Sequence, residues 1–159
     1  MPKFDLENLK PQNKILLVGN PNVGKSTLFN SLTRSHEHTG NFHGVTVSEA
    51  KKIVDFENEK FCFYDLPGLY SMIPFSREEE VSKNFILTDC ARLVVVDANS
   101  LRRNLYLCLQ LKELNLDYKI LLNNYDYFCK KGNYIDAKKL SQKLNIRSEE
   151  HTSELQSPV

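Results

Sequence analysis

A glycine-bounded loop, Gly19 to Ser26 (GNPNVGKS), has the residue types and spacing of a phosphate-binding site. The apolar run Ile15 to Val18 before it predicts a buried strand, and Thr27 to Leu32 after it has the apolar spacing of a helix. Glycines let backbone N–H groups turn toward a phosphate, and a helix N-terminus adds partial positive charge. We expect Lys25 to reach the β- and γ-phosphates and Ser26 to bind Mg²⁺. The loop therefore predicts nucleoside triphosphate binding, with an ordinary glycine turn as the alternative.

A second set of candidate ligands follows a strand predicted at Lys60 to Tyr64. The residues Asp65-Leu66-Pro67-Gly68 have the D-x-x-G form of a nucleotide switch. A carboxylate at this place can hold Mg²⁺ through water, and the Gly68 N–H can meet the γ-phosphate. Because D-x-x-G alone is a common turn, its position after a strand is what favours the nucleotide interpretation.

The polar segment between the two motifs offers one further Mg²⁺ ligand. Thr46 lies in Gly44-Val45-Thr46-Val47, and its hydroxyl could complete the Mg²⁺ shell in the triphosphate state. A threonine in a β-rich segment is more often a plain strand residue. The same segment holds His36, His38 and His43, for which a solvated cluster is favoured over a transition-metal site, since the surrounding sequence has few carboxylates and no cysteine.

The residues Asn123-Asn124-Tyr125-Asp126 follow the last predicted strand and have an N-x-x-D pattern. An aspartate carboxylate can accept hydrogen bonds from both N1–H and N2–H of guanine, whereas adenine has no donor at N1 and no amine at C2. A buried polar pairing of this kind discriminates strongly, because the wrong base leaves groups unpaired. We expect Asp126 to bind the base and Asn123 to brace the phosphate loop, which favours GTP over ATP. In isolation the pattern could be a turn.

The elements that position these residues alternate along the chain. Strands are predicted at 15–18, 45–56, 60–64, 93–96 and 118–122, and helices at 27–32, 76–87, 101–114 and 136–144. The second and third strands suggest a hairpin. This alternation predicts a three-layer α/β fold with a mostly parallel sheet and sites at the carboxyl ends of its strands. Asn22, Asp65, Asp97 and Asn123 fall at or just beyond such ends.

The amino-acid composition argues against several classes of function. The 159 residues suit one domain, and the 21 basic and 20 acidic residues nearly cancel, so the chain lacks the charge signature of nucleic-acid or anionic-membrane binding. No apolar run approaches the roughly 20 residues of a membrane helix, and the N-terminus lacks the apolar core of a signal peptide. The four cysteines are widely spaced, which favours reduced thiols over a metal site or disulfides.

Together the motifs resemble the N-terminal G domain of the ferrous iron transport protein B (FeoB) family. The stretches that carry this resemblance are Gly19 to Thr27, Gly44 to Val47, Asp65 to Ser71, Val96 to Asn99, Arg103 to Leu107 and Asn123 to Asp126. The resemblance covers residues 14–146. It implies a Ras-like P-loop fold that binds GTP and GDP with Mg²⁺ and K⁺ and that hydrolyses GTP.

The resemblance also implies a role for each matching residue. The implied catalytic residues are Asn22, Lys25, Thr46 and Gly68. The implied metal ligands are Ser26, Thr46 and Asp65 for Mg²⁺ and Asn22 for K⁺. The implied nucleotide ligands are Gly19, Asn20, Pro21, Asn22, Val23, Gly24, Lys25, Ser26, Thr27, Gly44, Val45, Thr46, Asp65, Leu66, Pro67, Gly68, Asn123 and Asp126.

Three positions depart from the family or from Ras-type enzymes. His43 precedes Gly44 where the family usually has proline, and Asn124 replaces the usual methionine, or the lysine of most GTPases. Leu69 stands where Ras-type enzymes carry a glutamine that orients water. A leucine cannot orient water by hydrogen bonding, and the resemblance implies slow hydrolysis that relies on backbone positioning and on K⁺, whose charge would act where an arginine finger acts elsewhere.

The sequence divides into three expected parts. Residues 1–13 are expected to be a flexible leader, residues 14–146 a partial G domain that stops before the fifth motif, and residues 147–159 a non-native tail. This tail resembles a translated sequencing-library adapter and has no hydrophobic periodicity. A genuine disordered tail is the alternative.

As a whole, the resemblance implies a slowly hydrolysing GTP-dependent switch domain of a ferrous iron membrane transporter. Its implied partners are guanine nucleotide, the helical regulatory and membrane domains of the full-length protein, and a small SH3-like protein, with no nucleic acid. The full-length protein would place it at the cytoplasmic face of the bacterial inner membrane, and the fragment alone would be soluble. One alternative is a ribosome- or tRNA-associated GTPase, which predicts a basic accessory region. Another is a nucleotide-binding fragment without hydrolysis.

Overall fold

The computed structural model describes residues 9–33 and 50–146. Five strands form one sheet in the order β2-β3-β1-β4-β5. These are β1 (Lys14–Val18), β2 (Ala50–Phe56), β3 (Glu59–Asp65), β4 (Ala91–Asp97) and β5 (Lys119–Asn123). β1 pairs in parallel with β3 and β4, and β4 pairs in parallel with β5, whereas β2 runs antiparallel to β3. The predicted mostly parallel α/β fold is confirmed.

Strands β2 and β3 form the predicted hairpin, and a two-residue turn joins them. Glu57 and Asn58 both have positive φ angles, 48° and 63°. Positive φ at both central residues matches the right-handed twist of the paired strands. Glu59 belongs to β3, opposite Phe56, although the sequence analysis placed it in the turn. Residues 45–49, predicted as part of the first hairpin strand, lie outside the described residues.

The described residues form five helices, three of them between strands and two after β5. They are α1 (Lys25–Thr33), α2 (Arg77–Ile86), α3 (Leu101–Glu113), α4 (Tyr125–Lys130) and α5 (Ala137–Leu144). Ser76 caps α2, since its side chain accepts a hydrogen bond from the Glu79 N–H at 3.1 Å. Asp136 caps α5 in the same way through Lys139. The sequence analysis missed the short helix α4.

The hydrophobic core lies on both faces of the sheet, because successive strand side chains alternate between faces. On one face, alternate residues of β1, β3 and β4 pack with Ile86 of α2 and with Leu107 and Leu111 of α3. Leu17 of β1 points to the other face, where α1 contacts the sheet and Phe29 of α1 is buried. Helices on both faces complete the three layers.

The amino ends of the strands are joined by two polar side chains that the sequence analysis did not single out. Arg92, near the start of β4, is 8% exposed and donates to the carbonyl oxygens of Ile86 and Thr88, both at 2.6 Å, and to those of Cys90 and Asp117. These bonds connect the end of α2, β4 and the segment before β5.

Asn13 is the second polar side chain that joins the amino ends of the strands. It ends a 3₁₀ turn (Pro11–Asn13) inside the segment predicted to be a leader. Its buried side-chain amide donates to the Lys60 carbonyl at 3.0 Å and to the Glu59 carboxylate at 3.3 Å. The start of β1 is therefore fixed to the start of β3. Residues 1–8 lie outside the described residues.

Candidate functional site

The candidate site lies at the opposite edge of the sheet, where the parallel strands end. The phosphate loop follows β1, Asp65 ends β3, Asp97 ends β4 and Asn123 ends β5. Carboxyl ends of parallel strands share one edge of a sheet, and open α/β sheets bind ligands there. The fold therefore brings together motifs that lie up to about 100 residues apart in sequence, such as Val23 and Asn123.

The phosphate loop takes a backbone course that its sequence explains. Asn22 and Gly24 have positive φ angles of 65° and 92°, which only glycine and a few short polar residues adopt readily. A Cβ atom on Gly24 would come 2.4 Å from the Asn123 Nδ2 atom. Helix α1 begins at Lys25, directly after this glycine, with the Leu28 N–H donating to the Gly24 carbonyl at 3.0 Å. The loop thus leads into a helix N-terminus, as a phosphate site requires.

Lys25, Ser26 and Asp65 meet at the centre of the site. The Lys25 ammonium donates to the Leu66 carbonyl at 2.7 Å and contacts the Asp65 Oδ1 atom at 3.3 Å. The Ser26 hydroxyl donates to Asp65 Oδ2 at 2.7 Å. Lys25 is 8% exposed, whereas Ser26 is exposed. An ammonium, a hydroxyl and a carboxylate therefore converge beside the first turn of α1.

The D-x-x-G segment packs directly against the phosphate loop. A Cβ atom on Gly68 would lie 2.6 Å from the backbone nitrogen of Pro21, so this close approach requires glycine. The Leu69 N–H donates to the Gly19 carbonyl at 3.1 Å. The Leu69 side chain is fully buried in the core, so it faces away from any water attacking a phosphate.

The Asn123 side chain bonds to the phosphate loop across the sheet. Its Nδ2 atom donates to the Val23 carbonyl at 2.9 Å, which is the bracing contact that the sequence analysis expected. Asn124, next to it, has φ = 58°, and this left-handed conformation gives a backbone reason for asparagine at that position. Asp126 is exposed in the first turn of α4. Helix α4, which the sequence analysis missed, therefore carries Asp126, the residue predicted to bind the base.

The other residues expected to bind nucleotide are partly buried, partly exposed and partly outside the described residues. Val23 and Asn20 are buried, and Thr27 is exposed on the first turn of α1. Gly44, Val45 and Thr46 lie outside the described residues, as does the histidine segment 36–43. Across the described ranges, no group of three or more His, Cys, Asp or Glu side chains could hold a metal ion by itself.

Sequence analysis missed two polar contacts made by side chains of α3, one of them at the edge of the sheet that holds the site. Asn104 of α3 is buried and its Oδ1 atom accepts from the Asp97 N–H at 2.8 Å, which fixes the end of β4. Gln110, two turns further along α3, accepts from the Met72 N–H at 2.6 Å. A polar residue at a helix position that otherwise faces the core was the available signal for Asn104.

The arrangement fits a nucleotide with a divalent cation. Ser26 and Asp65 offer oxygen atoms, which hard cations such as Mg²⁺ prefer, and Lys25 and the start of α1 offer positive charge to phosphates. Asn22 presents an exposed amide at the rim of the loop. Within residues 9–33 and 50–146, no helix is long and apolar enough to cross a membrane.

Comparison with known sequences identifies a family for this chain. Residues 13–155 match the family model described as ferrous iron transport protein B. A fusion of Fe(2+) transport protein A with the Fe(2+) transporter FeoB from Porphyromonas gingivalis is 43% identical over 91% of this chain. The Fe(2+) transporter FeoB of Staphylococcus aureus strain COL is 44% identical over 80% of the chain. The chain spans 18% and 19% of the length of these two relatives.

Solved structures show the same fold. The FeoB G-domain of Methanococcus jannaschii has a TM-score of 0.72 at 36% identity, and the alignment covers 87% of this chain and 84% of that one. The structure of NFeoB from S. thermophilus bound to GDP.AlF4⁻ and K⁺ has a TM-score of 0.71 at 42% identity, with coverage of 84% and 52%. A further S. thermophilus NFeoB structure, bound to mGMPPNP, has a TM-score of 0.71.

Proposed function

The chain belongs to the ferrous iron transport protein B family, and we propose that it binds GTP and GDP with Mg²⁺ as the G domain of a ferrous iron transporter. The observation that carries this proposal is the meeting of Lys25, Ser26 and Asp65 within 3.3 Å beside the start of α1. Solved relatives bound to mGMPPNP or to GDP.AlF4⁻ support the same ligand class.

Each side chain has a chemical role in this proposal. Lys25 contacts the β- and γ-phosphates, and the backbone N–H groups of residues 19–27 surround them. Ser26 and Asp65 hold Mg²⁺, together with Thr46 in the triphosphate state, and Mg²⁺ supplies charge that offsets the phosphates. The Gly68 N–H meets the γ-phosphate, so that the segment after it responds to hydrolysis.

Base selectivity is assigned to the end of β5. Asp126 accepts hydrogen bonds from N1–H and N2–H of guanine, while Asn123 keeps the phosphate loop in place through the Val23 carbonyl. The left-handed Asn124 between them directs the chain from β5 into α4, where Asp126 lies. Adenine cannot supply both donors, so ATP is excluded by unpaired polar groups.

We further propose that hydrolysis is slow and K⁺-dependent. Leu69, the residue directly after D-x-x-G, is apolar and buried and cannot orient water, so positioning falls to backbone groups. Asn22 lies at the exposed rim of the loop, where its amide oxygen can bind K⁺. The S. thermophilus NFeoB structure bound to GDP.AlF4⁻ and K⁺ supports a role for K⁺. Phosphate release measured in KCl and in NaCl tests it, since equal rates would exclude a role for K⁺.

The role of the domain in a whole transporter is also a proposal. In this proposal residues 14–146 are the G domain and residues 1–13 its leader, and residues 147–159, which lie outside the described residues, are assigned no role. In a full-length protein, the G domain would lie at the cytoplasmic face of the bacterial inner membrane and regulate Fe²⁺ passage. It would act through the helical and membrane domains of that protein.

The central experiment is a binding titration with fluorescent GDP and GTP, with ATP as competitor. We expect GTP and GDP to bind in the presence of Mg²⁺ and ATP not to compete. The variant Asp126→Asn should bind GDP about 100-fold more weakly, because two hydrogen bonds to the base are disturbed. Its control is Asp136→Asn, which changes the α5 cap away from the site. Equal competition by ATP would refute the base assignment.

A further inference from the structure

Helix α3 contacts the segment that follows D-x-x-G. Residues 69–71 and 103–107 both belong to stretches that carry the family resemblance, but they supply no ligand in the proposed function. The Arg103 guanidinium carbon lies 4.4 Å from the centroid of the Tyr70 ring. A guanidinium over an aromatic face at this distance makes an attractive cation–π contact. The first turn of α3 therefore holds the residue that lies two positions after Gly68.

A second contact joins the same two elements. The Gln110 Oε1 atom accepts a hydrogen bond from the Met72 N–H at 2.6 Å. Residues seven apart lie on the same face of a helix, so Arg103 and Gln110 face the segment together. We call these two contacts the α3 clamp. The clamp holds residues 70–72 at two points that are two helical turns apart on α3.

The clamped segment is also joined to the phosphate loop. The Leu69 N–H donates to the Gly19 carbonyl at 3.1 Å. Gly68 packs so closely on Pro21 that a Cβ atom on Gly68 would lie 2.6 Å from the proline nitrogen. Residues 68–72 therefore extend from the phosphate loop to α3, and the described arrangement holds Gly68 against that loop.

The residues beyond the clamp are more exposed. Ile73 is 63% exposed and Phe75 is 85% exposed. The Ile73 N–H and carbonyl both bond to the hydroxyl of Ser71, two positions earlier. The Phe75 N–H donates to the carboxylate of Glu79, four positions later. The α3 clamp and the burial of the Met72 side chain therefore fix this segment to the body of the domain before it reaches α2.

We propose that Arg103 and Gln110 are positioning residues that keep the Gly68 N–H at the phosphate loop, where it meets the γ-phosphate of GTP. Because GDP has no γ-phosphate, the clamp affects the affinity for the triphosphate and not the affinity for the diphosphate. Without the clamp, the segment leaves the loop in part of the population, and the apparent triphosphate affinity falls in proportion to the fraction that stays in place. The γ-phosphate contact rests on the proposed function, whereas the holding of the segment depends only on α3.

The double variant Arg103→Met with Gln110→Met tests the nucleotide part of this proposal. Titration with fluorescent GMPPNP should show binding weakened by about 3- to 10-fold, the loss expected for about one hydrogen bond, with GDP affinity unchanged. The matched control is Arg102→Met with Gln142→Met, which changes two exposed residues of the same types outside the clamp and should alter neither affinity. An unchanged ratio of GMPPNP to GDP affinity in the clamp variant would overturn the proposal.

Conservative variants separate positioning from a general effect on the fold. Gln110→Glu keeps an oxygen acceptor for the Met72 N–H, and Arg103→Lys keeps a cation over the Tyr70 ring. Each should keep the ratio of GMPPNP to GDP affinity within about twofold of the wild-type ratio. If Gln110→Glu lowers this ratio as much as Gln110→Met does, the acceptor is not what holds the segment.

A measurement without nucleotide tests the clamp itself. The chain contains no tryptophan, so Tyr70→Trp places a single indole on the segment and keeps an aromatic face for the cation. In that background Gln110→Met removes the hydrogen bond at Met72 without touching the indole. It should lower the fluorescence anisotropy of the indole and raise its acrylamide quenching constant, and Gln142→Met should do neither.

The two kinds of measurement fail separately. Unchanged anisotropy and quenching in Gln110→Met would show that α3 does not hold the segment, and the proposal would be wrong. If the wild type binds no guanine nucleotide, the proposed function fails, while the indole measurement still decides whether the clamp holds residues 70–72.

Discussion

The two ends of the parallel strands use polar side chains in opposite ways. At the amino end, the Arg92 side chain donates to four backbone carbonyls and Asn13 donates to two acceptors. At the carboxyl end, Lys25 and Ser26 bond to Asp65, a group that the proposed function assigns to Mg²⁺, and Asn20 has no partner among the described residues.

Within one sheet, the amino ends of the strands therefore contribute mainly to stability, and the carboxyl ends carry the proposed binding function. Five of the six acceptors at the amino end are backbone carbonyls of neighbouring elements, and the sixth is the Glu59 carboxylate, so satisfying them adds to the free energy of unfolding. The carboxyl end holds contacts that a nucleotide must replace, so very stable bonds there would oppose binding. Three variants test the comparison, from the largest expected effect to the smallest.

Lys25→Met should cause the largest loss, and the loss should be in binding. Removing the ammonium eliminates the charged hydrogen bond to the β-phosphate, the one of its two phosphate contacts that GDP retains, and we expect GDP affinity to fall about 100-fold, close to 2.7 kcal/mol. The melting temperature of the nucleotide-free chain should change by only a few degrees, about 2–4 °C. Fluorescent GDP titration and thermal melting measure the two effects. The control is Lys138→Met on the exposed surface of α5, which should alter neither.

Arg92→Met should have the reverse profile. It leaves buried carbonyls at the end of α2 and before β5 without their donor, and we expect about 2 kcal/mol less stability toward urea. Chains that remain folded should bind GDP as the wild type does. Arg102→Met on α3 is the matched control, since Arg102 is exposed. A weakened GDP affinity in folded Arg92→Met would show that the two ends are not independent.

Gly24→Ala should give a smaller effect that combines strain with a displaced contact. The added Cβ atom would meet the Asn123 amide 2.4 Å away and would hold a φ of +92°, so we expect about 10-fold weaker GDP binding. Gly132→Ala separates the two causes. Its φ is +81° but nothing lies within 4 Å of the new Cβ atom, so it should reduce stability by about 1 kcal/mol and leave GDP binding unchanged.

The fold could be predicted from sequence where local signals were strong. Apolar runs located β1, β4 and β5, and the helices predicted at 76–87 and 136–144 located the starts of α2 and α5 to within one residue. Helix α4 was missed because it has six residues, no hydrophobic periodicity and a start at a left-handed asparagine without a side-chain cap. A helix this short depends on its tertiary contacts rather than on its own propensity.

The sequence predicted which residues lie together in the site, but it did not predict every hydrogen bond that they make in the structure. Motif spacing indicated Lys25, Ser26, Asp65 and Asn123 as neighbours, and their contacts agree with that expectation. No sequence pattern indicated that Lys25 would bond to the Leu66 carbonyl in the described structure. That bond depends on the approach of a loop 41 residues away.

The sequence by itself determined which residues could contact phosphate, metal and base, because glycine spacing, strand runs and helix starts are local properties of the chain. Tertiary structure alone decided the burial of Asn20, the ties made by Arg92 and the inward direction of Leu69. The physical reason is that burial and hydrogen-bond pairing depend on which surfaces meet across the sheet. Those surfaces belong to segments that are distant in sequence.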